Sequence, residues 1–544
     1  MTVGRTRETR RAAVLGRNGM VAAAHPLATA AGLEVLQRGG NAMDAAIATA
    51  LVTGVVLPAM CGLGGDAFAL YYESTTRTLT AFYGSGPAPA AATPAFFDEH
   101  GYRAMPFYGP LSVSVPGAVS VYFTAMEQFG TWKPAALFER AIQYAEEGFP
   151  LTEEGSRTIA ANAAELAKYP TSAAVFLPDG QVPPAGTVLR QPDLARSLRL
   201  LASHGPDVFY HGEIAEEIDR FLAASGGLLA TSDLAGYRCE VGKPIQTTYR
   251  GYTVYETGLP TQGHIVLEEL NIVEQVDLAR LGPESPDLIH LLVEAKKLAF
   301  ADRLAYSGDP NVVDVPLAIL LSKDFARSRF ALIDPERALD DVPPGAIERG
   351  GETTYLCVVD RWGNAASFIH SLSSAFGSQV VAGRTGILLN NRAGRGFTLQ
   401  EGHPNVLAPG KRTMHTLNCW LITEGDRLRW VGGTPGGDQQ PQWNLQLIVN
   451  LIDFGMDPQT AVEHPRWYSF PGTDPINLPN DFVLRIEDRY GDAVLAELTR
   501  RGHRVQRLGD WGAGGAAQIV AVNPESGVLT GGSDPRAEGL ALGW

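Results

Sequence analysis

The chain has 544 residues, too many for one ordinary hydrophobic core, so it predicts several domains or one large layered one. Apolar residues make up 45% and charged residues 19%, a globular-enzyme composition; the net charge of −15, with no basic block to offset it, argues against a nucleic-acid partner. Cys61, Cys239, Cys357 and Cys419 are far apart and show neither Cys-x-x-Cys nor histidine spacing, which argues against a zinc site and suits a reducing compartment.

Met1 to Arg17 is basic and polar and has no apolar h-region, so no secretory signal is read there. His25 to Gln37 reads as a helix stopped by Arg38-Gly39-Gly40. Asn41 can cap the next helix, with Asp44 in its first turn. The longest apolar run, Ala45 to Met60, is short for a membrane span and reads as a buried helix, so the expected location is cytoplasmic, with no membrane partner. Cys61-Gly62-Leu63-Gly64-Gly65-Asp66 is a glycine turn into a strand, Ala67 to Tyr72. It lacks the Gly-Lys-Ser/Thr and the following helix of a phosphate loop.

From Pro134 to about Leu304 the pattern is mostly helical. The candidates are Pro134–Glu147, Glu153–Leu166, Gln191–His204, Glu213–Ala224 and Ser285–Ala305, with one strand at Ile245–Tyr255. Asp340 to Gly351 is turn-rich and reads as an exposed linker. Beyond it the pattern turns to strands, with a long helix near Thr460 and another at Asp488–Arg501.

The linker runs straight into Glu352-Thr353-Thr354. If the bond before Thr353 breaks, Thr353 gains a free α-amine beside its own hydroxyl, so nucleophile and base sit on one residue. Thr353 to Val359 reads as a strand, Asp360-Arg361-Trp362-Gly363-Asn364 as a turn, and Ala365 to Ser371 as the returning strand. Pairing Asp360 with Asn364 sets Thr353 opposite Ser371, which then either meets the threonine or merely ends its strand. Glycines 432, 433, 436 and 437 form a cluster whose N–H groups could face a developing oxyanion, or could simply make a turn.

Taken together the chain resembles the γ-glutamyltranspeptidases, or glutathione hydrolases, among the N-terminal-nucleophile hydrolases. The segments that carry this include His25-Pro26-Leu27-Ala28, Gly39-Gly40-Asn41-Ala42, Phe300-Ala301-Asp302-Arg303, Thr353-Thr354, Asn390-Asn391, Pro435-Gly436-Gly437 and Ser533-Asp534-Pro535-Arg536. The resemblance implies an α+β fold, a four-layer αββα sandwich. It implies autocleavage between Glu352 and Thr353 into a large subunit, 1–352, and a small one, 353–544, that stay together as a heterodimer, with a dimer of these as a further step. It makes Thr353 the nucleophile, Ser371 its hydrogen-bond partner, and Gly436 and Gly437 the oxyanion glycines. It implies no cofactor and no metal.

The residues matching the family's γ-glutamyl clamp depart from it. Tyr83 stands at the position of the carboxylate-binding arginine, and His415 and Thr416 at the paired serines. Ser373 replaces an asparagine, and Arg392 and Arg395 lie where the family has the acid that holds the α-amine. A carboxylate thus gives way to a cationic loop, which would attract an acid and repel an ammonium group. Either arginine could instead be a surface charge, and His415 a structural histidine. The mix is similar to the branch that includes oxamate amidohydrolase. It points to hydrolysis, with transfer as a variant, of an acyl group from a small acidic amide. The alternatives are a true γ-glutamyl enzyme with a rearranged clamp and an uncleaved, inactive binding homologue.

Overall fold

The computed structural model describes residues 10–340, 342, 353–471 and 481–544. Thr354–Asp360 is buried along its whole length because it has apolar neighbours on both faces. Tyr355, Cys357 and Val359 project one way; Leu356 and Val358 project the other. The strand therefore reads as a continuous apolar run rather than an alternation.

It lies in a seven-stranded sheet in the order Leu540–Gly543, Gly19–Ala23, Thr354–Asp360, Ala365–Ser371, Asp66–Glu73, Thr78–Gly84, Glu240–Gly242, with neighbours antiparallel. A second antiparallel sheet runs Val14–Gly16, Leu529–Ser533, Gln518–Val522, Arg427–Gly433, Trp420–Glu424, Tyr252–Glu256, Ile245–Tyr249. The sheets pack face to face through Phe68, Tyr355 and Ile369 on one side and Leu421, Val431 and Val520 on the other.

The outer face of the first sheet is covered by a helical layer that includes Ala42–Val56, Pro134–Glu147 and Pro192–His204. Gly263–Val273, Pro286–Tyr306 and Gln439–Ile452 cover the second. The architecture is the expected α+β four-layer αββα sandwich. Both sheets take strands from either side of the expected 352/353 boundary, so the two segments share one core.

Most expected elements recur. His25 is the N-cap of Pro26–Gln37, its Nδ1 accepting from the Leu27 amide at 3.2 Å, and Asn41 and Asp44 form a reciprocal capping box. Three expectations are corrected. Ile245–Tyr255 is a hairpin, not one strand, because Arg250 (φ 51°) and Gly251 (φ 87°) make a two-residue turn with both φ positive. The helix near Thr460 is short, Pro458–Glu463; the long one is Gln439–Ile452, whose polar opening Gln439-Gln440-Pro441-Gln442 hides it from a periodicity reading. Asp488–Arg501 is divided at Gly491 (φ 86°) into a short 3₁₀ turn and the helix Asp492–Arg500. Of the linker, residues 341 and 343–352 lie outside the described residues, and Glu352 with them.

Candidate active site

The register of the Thr354–Asp360 hairpin is pinned at its turn. The Asp360 carboxylate accepts from the amides of Trp362 (2.9 Å) and Asn364 (3.0 Å), and from Ala42 at the start of a buried helix (2.9 Å). With the turn fixed, Thr354 pairs with His370, so Thr353 falls opposite Ser371. Thr353 is 2% exposed, and its hydroxyl donates to Ser371 Oγ at 3.2 Å. Ser371 Oγ also accepts from the Ser373 amide at 2.8 Å. Ser373 itself has φ 88°, a left-handed strain that a non-glycine residue adopts only where its surroundings hold it.

The glycine cluster approaches Thr353 from the second sheet. Strand Arg427–Gly433 runs into Pro435-Gly436-Gly437, and the chain then opens the helix Gln439–Ile452. Gly436 has φ 137°, and a Cβ there would lie 2.4 Å from the Trp443 ring, so only glycine fits. Among the described residues neither the Gly436 nor the Gly437 N–H donates to a protein acceptor. The loop is held from behind. Gln262 Nε2 donates to the Gly437 carbonyl at 2.8 Å and also to the Thr416 carbonyl. Arg303 binds Gln262 Oε1 and pairs with Asp438 at 2.5 Å, all of it buried. Nothing in the sequence points to Gln262, because a lone glutamine gives no signal.

A charged cluster lies on the other side of Ser371. Asp66 pairs with Ser371 in the sheet register, so their side chains share the face turned to the second sheet. His415 Nε2 is 2.9 Å from Asp66 Oδ2, and His415 Nδ1 accepts from the Leu417 amide at 3.1 Å, which puts the ring proton on Nε2, donating to the acid. Arg392 Nε is 3.7 Å from the same carboxylate oxygen. Arg395 Nη1 donates to the Ser373 carbonyl at 2.7 Å.

Burial raises the Asp66 carboxyl to about 7, with Arg392 pulling the other way. Burial, then Arg392 and Arg395, holds His415 well below its usual range, so the ring is neutral. Ser373 Oγ and Thr416 Oγ1 are buried with no hydrogen-bond partner among the described residues.

Two expectations change here. Arg392 and Arg395 are each 1% exposed in the short helix Arg392–Gly396, so neither is a surface charge. Nor is the loop's positive charge unopposed, because Asp66, which follows a glycine turn in the sequence, brings a carboxylate from another strand. Tyr83 is held structurally: its hydroxyl donates to the Lys243 carbonyl (2.9 Å) and accepts from the Gly258 amide (3.4 Å), beyond a strand of the second sheet, and its ring meets Phe68 edge-on. His370 bonds Tyr122 at 2.9 Å and sits in the core.

A cavity of about 290 Å³ opens beside Thr353 and Gly436. Tyr83, Ser373, Arg392, Arg395, His415 and Thr416 are not among its lining residues. A second cluster with metal-ligating side chains, His290, Glu294 and His503, is buried elsewhere. There the Lys297 ammonium is 2.8 Å from Glu294, and the two rings hydrogen-bond at 2.8 Å, so the acid already has its counter-charge.

The gamma-glutamyltranspeptidase family model matches residues 28–544. The chain belongs to that family. Its relatives include the glutathione hydrolase-like YwrD proenzyme of Bacillus subtilis, 37% identical over 97% of this chain and 99% of the relative. The oxamate amidohydrolase proenzyme of Klebsiella pneumoniae is 35% identical over 97% and 98%. The crystal structure of a cephalosporin acylase from Bacillus halodurans superposes with a TM-score of 0.92 at 38% identity, covering 100% of this chain and 99% of that one. The chain is thus a hydrolase of a self-processing N-terminal-nucleophile family, and these relatives are named for three different substrates. Among the described residues no helix is long and apolar enough to cross a membrane.

Proposed function

We propose that the chain cleaves itself between Glu352 and Thr353 and then hydrolyses the amide of a small acidic acyl group. The observation that carries this is the placement of Thr353 Oγ1, 3.2 Å from Ser371 Oγ and in one cavity with Gly436. In the precursor the Thr353 hydroxyl attacks the Glu352 carbonyl. The peptide C–N bond breaks, its nitrogen takes the hydroxyl proton, and water hydrolyses the resulting ester. Thr353 is left with a free α-amine, and residues 1–352 and 353–544 remain together as a heterodimer.

In turnover that amine accepts the hydroxyl proton while Oγ attacks the substrate carbonyl. The Gly436 and Gly437 N–H groups stabilise the oxyanion, a contribution of roughly 3–4 kcal/mol per donor at such sites. The leaving amine takes the proton, and water releases the acid. Two buried guanidinium groups, Arg392 and Arg395, support a substrate that brings a carboxylate of its own. Ser373 and Thr416 offer it hydroxyls, and His415 holds Asp66 in place.

One observation favours a second reading, a rearranged γ-glutamyl clamp: Asp66 could receive an α-ammonium group. A panel decides between them. Processed enzyme is assayed on oxamate, glutaryl and other short acidic amides against γ-glutamyl-p-nitroanilide. Faster turnover of amides without an α-amine supports the first reading; preference for the γ-glutamyl compound overturns it.

A further inference from the structure

The tetrahedral centre that forms on Thr353 has two sides, and this chain makes them chemically different. Ser371 leads to the buried charged cluster of Asp66, Arg392 and Arg395. The other side is the cavity of about 290 Å³, just below the roughly 300–1,000 Å³ of small-molecule sites, and it shares no residue with that cluster. Ala24, Leu57, Met60 and Pro435 give it apolar walls.

Its charged groups are Arg536, Glu154 and Glu538. The Arg536 guanidinium is spent internally, 2.7 Å from Glu487 and 3.0 Å from Asp534. Glu154 pairs with Arg157 at 2.9 Å. The Glu538 carboxylate has no hydrogen-bond or ion-pair partner among the described residues. A group bound here therefore meets hydrocarbon and a negative rim.

We propose that this cavity is the subsite for the leaving amine, and that it selects apolar amines that carry no carboxylate. The inference rests on Thr353 being the nucleophile and adds the other half of the substrate. An acidic acyl group sits on the cationic side and an apolar, uncharged or cationic amine on the acidic side, so the two ends cannot exchange places. Amides of aromatic amines fit; N-acyl amino acids and peptides, whose leaving group bears a carboxylate, are disfavoured.

The test holds the acyl group constant and varies the amine. Processed enzyme is given glutaramic acid, which releases ammonia, N-glutaryl-phenethylamine and N-glutaryl-phenylalanine. The phenethylamide should exceed the primary amide in kcat/KM by about tenfold or more, the effect of burying a phenyl group. The phenylalanine compound, which differs from the phenethylamide by one carboxylate, should fall about tenfold below it.

Glu538→Lys should shrink that second gap to about threefold or less, and added salt should shrink it in the parent enzyme. Met60→Trp, which fills the cavity, should bring the phenethylamide down to the primary amide while the primary amide is still turned over; Leu57→Trp repeats the test if that variant does not fold. Rates that ignore the amine and both kinds of variant would overturn the inference while leaving the proposed reaction intact. If no glutaryl amide is turned over, the acidic-acyl reading fails instead. Calorimetry with free phenethylamine and free phenylalanine then still reads the cavity, and equal binding of the two would overturn it.

Discussion

Replacing Ser371 by alanine separates a catalytic contact from a strand end. Ser371 Oγ accepts from the Thr353 hydroxyl at 3.2 Å and from the Ser373 amide at 2.8 Å, in a site where all three residues are buried. Loss of the first bond removes about 1 kcal/mol of orientation from the proposed nucleophile. Loss of the second leaves a buried N–H unsatisfied, at about 1–3 kcal/mol, on a residue already held at φ 88°. Ser373 also carries the carbonyl that receives Arg395, so its relaxation disturbs the charged cluster.

The variant should therefore lose stability by about 1–3 kcal/mol. Its kcat should fall about 10- to 100-fold through the combined loss at nucleophile and cluster, each 1.4 kcal/mol counting tenfold. Ser371→Thr keeps the oxygen and should recover most of both. Differential scanning of the fold and steady-state rates on one acidic amide read the two effects separately. If stability falls but kcat stays within about twofold of the parent, Ser371 only ends a strand.

Gln262→Ala frees the backs of both the Gly437 and Thr416 loops, and should cost about 10-fold or more in kcat; Gln262→Glu, which cannot donate to those carbonyls, should not rescue it. Asp66 loses its proton as pH rises through about 7, which adds a negative charge beside Arg392; KM for an acidic amide should therefore rise above neutral pH, and Asp66→Asn should flatten that rise in a KM-versus-pH profile. Arg395→Met should raise KM for acidic amides about 10-fold or more and leave a neutral amide within about threefold, read from paired kinetics.

The sequence made the local parts of this site legible and the long-range parts opaque. The hairpin that begins after Thr353 follows from β-branched residues flanking an Asp-x-x-Gly-Asn turn, and counting across that turn is enough to place Ser371. The cap at Asn41 is likewise set by near neighbours, whereas the break at Gly491 escapes a periodicity reading. Asp66 meets His415 and Arg392 across gaps of more than 300 residues, and Gln262 reaches Gly437 and Thr416 from the N-cap of the distant helix Gly263–Val273, so neither could be found by spacing. For Arg392 and Arg395 the sequence leaves a substrate-binding and a solvated reading open, because the burial of a guanidinium depends on partners brought in from other strands.

In the proposed reaction Thr353 becomes the N-terminal residue of a processed chain. Intact-mass measurement of the purified protein under denaturing conditions reads this step most directly. Two fragments whose junction lies between Glu352 and Thr353 are expected, and a single full-length chain for Thr353→Ala. A single full-length mass for the parent protein, or cleavage at that junction in Thr353→Ala, would contradict it.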